Sequence, residues 1–410
     1  MHFVRVVIFC AAFLFLSHSL GHSQEWEGSE SVVNEIEQDE IKLGTVLPFS
    51  FLDDALSGWI ARKEELHQAT GLKLNMSYQS LYQHASPSPG ESDAASGRAE
   101  WQGNWTLIGR NTPNDGSLSF RLENRHLLGT DVAPSALGDE FGSILSTGNG
   151  FSSFGWAITE LAWRQNLMDG DVYISAGKIS ATNWYNSHAL SSKKEGFQNV
   201  AIQQSSTGPL PGRGLGIVSG LSFNDNLILV AGMHDANAST SGNPFDTISQ
   251  SEFYHSAELR WLPNGWEMQK FDQVRLQVWR QDARKQAGIP AGHGVTFLAS
   301  HQFDEMWLPF IMGGISDGNA SDLRAELTAG LGINLDNLSG KAARVVGIGA
   351  SWGNPSDSSL QDQYTFEAFS KIHLADRFHI TPSVQFIINP ASDPRKQVVT
   401  VIGFRARFNM

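Results

Sequence analysis

Three charged residues occupy every second position of one short stretch, GSLSFRLENRH, at Arg121, Glu123 and Arg125, with apolar Phe120 and Leu122 alternating on the other parity. In a β-strand, alternate side chains project to one side about 7 Å apart, so the three charges would form one polar wall. Arg and Glu can bind hydroxyl groups, and mixed charge suits a neutral solute better than an anion. The same pattern also fits an ion-paired wall that only solvates the strand.

Further charged residues extend this candidate site. Glu160 and Arg164 share one face of the next strand-like stretch, AITELAWRQ. Lys178 follows Gly177, but its parity groups it with apolar Val172 and so predicts a position at a rim or bulge. None of these residues forms a catalytic or metal-ligating constellation, so we expect no catalytic residue, no metal and no cofactor.

The elements that must position these residues are strands, because an apolar–polar period of two recurs from Leu72 to the end of the chain. Two fold classes give this pattern: a soluble β-sandwich, and a transmembrane antiparallel β-barrel with its apolar face outward. Alternation of short and long connections and an apolar final strand ending at Met410 favour the barrel. So do aromatic residues near strand ends: Tyr78, Trp101, Trp163, Trp261 and Phe303.

Composition limits the remaining possibilities. The chain has 410 residues with a formal net charge of -13 and no basic cluster, which argues against a nucleic-acid partner. The apolar run after Arg5 predicts a signal peptide over residues 1–23, and it contains Cys10, the only cysteine. We interpret residues 24–50 as an acidic, mobile, solvated segment, residues 51–71 as a short amphipathic helix and residues 72–410 as the barrel.

Several stretches resemble the carbohydrate-selective porins of the OprB family. They are EAFSKIHLADRFHITPSVQFIINPASDP with the following GFRARF, GKISATNWYNSHALSSKKEGFQN, LPFIMGGISDGNAS and LSGWIARKEELHQATGLKLNMSY. The resemblance spans roughly residues 57–410 and is strongest at the end. Two departures are Met410, where the family ends on Phe, and Ser180, where the family often has an acidic residue.

This resemblance implies a sixteen-stranded barrel in the outer membrane of a Gram-negative bacterium. It also implies passive, selective diffusion of mono- or oligosaccharides and no enzymatic activity. The partners would then be sugar solutes, outer-membrane lipid and lipopolysaccharide, and the barrel-assembly machinery, with the chain a monomer or a homotrimer. Arg121, Glu123, Arg125, Glu160, Arg164 and Lys178 become the candidates for lining the pore and contacting sugar.

Alternative functions stay open at this point. The chain could be a porin or exporter for another solute, such as an acidic polysaccharide or a small organic acid. It could be a secreted carbohydrate-binding β-sandwich. His188, close to Asn186 and Ser187, leaves room for a lipase built into a barrel wall.

Overall fold

The computed structural model describes residues 26–41, 45, 50–335 and 344–410. Within these residues, α-helices run over Val32–Glu40 (α1), Ser50–Thr70 (α2) and Val200–Gln203 (α3). The predicted signal peptide, residues 1–23, lies outside the described residues. No helix in the described ranges is long and apolar enough to cross a bilayer.

Most of the chain is strand, as the period of two predicts. The strands of the described residues are β1 Leu72–Ser86, β2 Asp93–Ile108, β3 Gly116–Leu127, β4 Gly155–Leu167, β5 Val172–Ile179, β6 Gly214–Asn224, β7 Leu227–Asp235, β8 Phe253–Trp261, β9 Gln273–Gln281, β10 Gly292–Ser300, β11 Trp307–Ser316, β12 Leu323–Asn334, β13 Arg344–Pro355, β14 Gln363–Ala375, β15 Phe378–Ile388 and β16 Val398–Asn409.

These strands form one closed barrel in which each strand pairs antiparallel with its neighbours in the sequence. Closure joins the two ends of the sheet, with Tyr78 of β1 opposite Phe408 of β16. The backbone N–H of Met410 also donates to the Met76 carbonyl oxygen at 2.7 Å. Closure leaves no unpaired edge, which explains why an apolar strand can stand at the end of the chain. The predicted antiparallel barrel of sixteen strands is confirmed.

The two ends of the barrel differ in their connections. At the end where β1 begins, the turns are short, for example 225–226 and 376–377. At the opposite end the connections are long, for example 128–154 and 180–213. Short turns at one end and long loops at the other are typical of transmembrane barrels.

The two faces of the wall differ as the alternation predicts. Apolar and aromatic side chains are exposed on the outer surface, as at Trp101 (53% exposed) and Ile402 (59%). Charged side chains point inward, as at Arg405 of β16 and Glu258 of β8, and both are buried. An apolar exterior around a polar interior is the arrangement of a transmembrane barrel.

Helix α2 lies just before the barrel. It ends at Thr70, because the next residue, Gly71, takes a φ of +79°, a left-handed conformation that suits glycine at a helix C-terminus. The Gly71 N–H donates to the His67 carbonyl oxygen at 2.7 Å. Trp105 of β2 then holds the helix end to the wall through a 3.1 Å bond from its ring N–H to the Thr70 carbonyl oxygen.

The interpretation of residues 24–50 as a solvated, mobile tail is wrong for residues 26–41, which we call the luminal segment. This segment lies inside the barrel, where Trp26, Val32 and Ile36 are at most 2% exposed. Its helix α1 starts at an N-cap, since the Ser31 side chain accepts a hydrogen bond from the Asn34 N–H at 3.2 Å. An acidic segment can be buried here because the interior supplies basic partners.

Candidate functional site

Besides the luminal segment, the connection between β5 and β6, residues 180–213, fills the interior of the barrel. We call it the luminal loop. It reaches the β16 side, where Arg405 donates to the Gly196 carbonyl oxygen at 2.9 Å. It also reaches the β8 side, where the Asn186 N–H donates to Glu258 at 2.7 Å. Because both sides of the wall hold it, the loop narrows any path through the lumen.

The predicted wall of Arg121, Glu123 and Arg125 faces inward on β3, and all three side chains are buried. Arg121 binds the luminal segment, donating to the Glu30 carbonyl oxygen at 2.9 Å and to Glu35 Oε2 at 3.2 Å. Arg125 donates two hydrogen bonds, of 2.7 and 2.8 Å, to one oxygen of Glu123. The predicted inward orientation is therefore observed, but the partners here are protein groups.

Glu160 and Arg164 of β4 also face inward, as predicted. Arg164 Nε donates to Glu27 Oε1 at 2.8 Å, and the Tyr173 hydroxyl donates to the same oxygen at 2.6 Å. Glu160 lies opposite Arg121 in the pairing of β3 with β4. The two predicted groups on β3 and β4 thus form one continuous charged surface inside the barrel.

Lys178 does not follow its sequence parity onto the apolar outer face. Gly177 just before it adopts a φ of +141°, which breaks the regular alternation of the strand. Lys178 is buried, and its Nζ donates to the Gly242 carbonyl oxygen at 2.7 Å in the connection 236–252. Its observed role is to hold one of the long connections.

Sequence reasoning missed much of this charged cluster. Arg98 and Glu100 of β2 are buried and joined at 2.8 Å, and Arg98 also reaches Glu123 at 3.1 Å. Their alternation with Ala99 and Trp101 carried the same signal as the Arg121 stretch. Other members come from the luminal loop, where no period of two marks them: Lys193, Lys194 and Arg213.

The luminal segment completes the cluster with carboxylates. Glu30 lies 3.5 Å from the Lys193 Nζ, and its other oxygen accepts the Lys193 N–H at 2.5 Å. Burial raises the pKa of Glu30, but Lys193, Arg98, Lys194 and Arg213 outweigh it and lower that pKa to about 2. Glu30 is therefore ionised at neutral pH and is held by its basic neighbours.

At the far end of the segment, Asp39 accepts two hydrogen bonds from one guanidinium. Arg407 of β16 donates to its two carboxylate oxygens at 2.6 and 2.7 Å. Such a bidentate pair is strong and directional. Asn75 of β1 adds a third bond to Asp39 at 2.6 Å. The segment is thus tied to the wall at both of its ends.

A cavity of about 380 Å³ lies beside the segment inside the barrel. Asp39, Arg407, Lys371, Arg275 and Phe271 are among its lining residues. Its volume is within the range of roughly 300–1,000 Å³ that is usual for small-molecule sites. Charged groups beside an aromatic ring can bind the hydroxyl groups and the ring face of a polar solute.

Two further features concern the possible lipase site at His188 and a possible metal site. His188 is buried in the luminal loop, where Nε2 lies 3.0 Å from the Ile202 carbonyl oxygen and the ring stacks on Phe310. Among the described residues, no three His, Cys, Asp or Glu side chains come together as a metal site.

Part of the chain matches the sequence model of a known protein family. The sequence model described as "Carbohydrate-selective porin, OprB family" matches residues 270–410. The resemblance to the OprB family is confirmed over this part of the chain. No curated protein matches the sequence.

Solved structures extend the comparison to the fold of nearly the whole chain. OprB of Pseudomonas putida at high pH has a TM-score of 0.70 at 14% identity, covering 86% of this chain and 97% of that chain. The low-pH structure of the same protein has a TM-score of 0.54 at 12% identity, covering 90% and 100%. A mutant of the Rh. blastica porin has a TM-score of 0.50 at 11% identity, covering 83% and 100%. At these identities the matches show the porin fold alone.

Proposed function

We propose that this protein is an outer-membrane porin through which sugars diffuse passively. The observation that carries the proposal is a closed sixteen-stranded barrel with a polar, charged interior, together with the OprB match over residues 270–410. A Gram-negative outer membrane is the bilayer in which such barrels reside. Lipid and lipopolysaccharide would then contact the outer face, and the barrel-assembly machinery would insert the chain.

A porin breaks and makes no covalent bond. Its selectivity comes from the width of the path and from the groups that line it. Arginine, lysine and amide side chains hydrogen-bond sugar hydroxyls, and an aromatic ring can lie against the apolar face of a pyranose. The 380 Å³ cavity offers such groups at Arg275, Lys371, Gln269 and Phe271. Binding there must stay weak enough for the sugar to leave.

Sugar contact by Arg121, Glu123, Arg125, Glu160, Arg164 and Lys178 stays a prediction. With the luminal segment and the long connections seated, all six are buried against protein. The luminal segment covers Arg121 and Arg164, because the Glu30 carbonyl oxygen and the Glu35 and Glu27 carboxylates accept hydrogen bonds from them. We therefore propose the lining of the 380 Å³ cavity as the first sugar contact from the short-turn side.

Liposome swelling tests this function directly. Purified full-length protein is placed in liposomes, which are then diluted into isotonic sugars of increasing size, from a pentose to a trisaccharide. We expect swelling that is fast for monosaccharides and slows with size, because the luminal loop narrows the path. Heat-denatured protein is the control. Swelling no faster than in protein-free liposomes for every sugar would contradict the proposal.

A further inference from the structure

We propose that the luminal segment, residues 26–41, is a displaceable plug whose carboxylates occupy a site for an acidic saccharide. This inference rests on the proposed function, because it specifies which sugars the passage selects and what closes it. Four of its acidic side chains bond to basic groups of the wall or the luminal loop: Glu27 to Arg164, Glu30 to Lys193, Glu35 to Arg121 and Lys194, and Asp39 to Arg407.

The balance of charge shows what the segment contributes. Around Glu27, Glu30 and Glu35 the wall and the luminal loop supply more basic side chains than acidic ones. The basic members are Arg98, Arg121, Arg125, Arg164, Lys193, Lys194 and Arg213, and the acidic members are Glu100, Glu123 and Glu160. With the segment withdrawn, this interior carries a clear excess of positive charge. Buried charges require partners, so the open lumen favours an anionic solute.

Some hydrogen-bond donors of the cluster have no partner among the described residues, even with the segment in place. Arg98 Nε and Nη1, and Arg121 Nη1, make no hydrogen bond to any described residue, and both side chains are fully buried. Because buried polar groups normally find partners, these donors point to a ligand with many acceptor oxygens. A saccharide that bears carboxylates has both the charge that the segment supplies and the extra hydroxyl oxygens.

The segment can leave without opening the sheet. The barrel closes through the pairing of β1 with β16, and the segment contributes no strand to it. Its Trp26 side chain packs against Tyr173 and Trp266. Its backbone is held by hydrogen bonds rather than by strand pairing: the Gly28 N–H donates to the Asn183 carbonyl oxygen at 2.6 Å, and Arg260 and Arg121 donate to the Trp26 and Glu30 carbonyl oxygens at 2.9 Å. An incoming carboxylate would replace a segment carboxylate on the same arginine or lysine. That exchange leaves no buried cation unpaired and so avoids the main cost of removing the segment.

A reversible lock provides the test. A Cβ added at Gly28 would lie 3.1 Å from the Ser187 Cβ in the luminal loop, slightly below the roughly 3.5–4.5 Å of a disulfide, so Gly28→Cys with Ser187→Cys should crosslink after a small shift. The only native cysteine, Cys10, lies in the predicted signal peptide. Gel mobility with and without reductant confirms the crosslink, and Gly28→Cys alone is the control.

Ion currents in planar bilayers and swelling in D-galacturonate or D-glucose are measured on the oxidised and the reduced forms. We expect the oxidised form to lose both current and swelling. The reduced form should recover them, with an anion-selective reversal potential and faster entry of galacturonate than of glucose. If the crosslinked form conducts as well as the reduced form, the plug is refuted while the porin function stands.

Two further outcomes test the acidic-saccharide site and the porin function separately. A reduced form that opens but prefers cations, and admits glucose as fast as galacturonate, refutes the acidic-saccharide site. Absence of current and swelling in every form, including the unmodified chain, refutes the porin function itself and the plug with it.

A second variant covers the case in which the crosslink does not form. Changing Glu27, Glu30 and Glu35 together to Gln keeps the chain length and removes the carboxylates. We expect a higher current than in the unmodified chain, and Glu65→Gln on the exposed face of α2 is the matched control. A current equal to that of the control would refute the plug.

Discussion

Replacing Arg121 by Met tests how firmly the charged wall holds the luminal segment. Arg121 is fully buried and donates to the Glu30 carbonyl oxygen and to Glu35. Methionine keeps most of the side-chain volume but leaves Glu35 without that guanidinium. Breaking a buried ion pair by removing one partner costs about 3–5 kcal/mol. The barrel can escape this cost by releasing the segment, so we expect the released fraction to rise by about a hundredfold or more.

Cleavage by a glutamate-specific protease measures that fraction, because proteolysis follows the population of the open form when opening and closing are fast. Cuts at Glu27, Glu30 and Glu35 report the segment in detergent-solubilised protein. Arg275→Met is the matched control, since Arg275 is a buried wall arginine that bonds to Glu258 and Gln273 instead. We expect fast cleavage in Arg121→Met and slow cleavage in the control.

Adding Glu35→Gln to Arg121→Met should restore much of the protection, because removing both partners of a buried pair leaves no unpaired charge. Sugar flux through the Arg121→Met variant, without the second substitution, distinguishes two roles of Arg121. If Arg121 acts mainly by holding the segment, the flux of neutral glucose rises when Met replaces it; if Arg121 acts mainly by contacting glucose, that flux falls. Unchanged cleavage in Arg121→Met, or equal acceleration in Arg275→Met, would refute the reasoning.

Three other changes follow from the contacts. Asp39→Asn weakens the bidentate pair with Arg407, so protease cleavage of the segment should increase, though less than in Arg121→Met. Gly220→Ala places a methyl group against the Trp26 indole, so the same cleavage assay should show release of the luminal segment. Full protection of the segment from the protease would contradict the packing of Trp26 against Gly220. Leu276→Arg puts a charge on the outer face and should destabilise the barrel by about 2–4 kcal/mol if it lies near the membrane midplane, measured by urea unfolding in lipid; no loss would argue against lipid contact.

The sequence predicted the barrel because each strand repeats the same signal. Alternation places Trp101 outward and Arg121 inward, and the fold confirms both directions. At Lys178 the period of two alone would give an outward side chain, and a rim or bulge was predicted instead. The φ of +141° at Gly177 interrupts the regular backbone there, and the sequence does not specify that angle.

The interior of the barrel was harder to predict. Residues 26–41 look like a solvated tail because acidic stretches with few apolar residues seldom find a core. Their charges are compensated only by residues far along the chain, such as Arg121, Arg164 and Arg407, and single-chain patterns do not reveal such pairs. A local signal was present, since Ser31 precedes Val32 and Ile36 at the spacing of an N-capped helix.

The central claim is that sugar passes through the same hydrated lumen that carries ions. The most direct measurement is the ion current of single full-length molecules in a planar bilayer while sugar is added to one side. We expect stepwise currents that fall as sugar concentration rises, because a sugar inside the luminal passage obstructs ions. Currents that do not respond to any sugar, acidic or neutral, would contradict it.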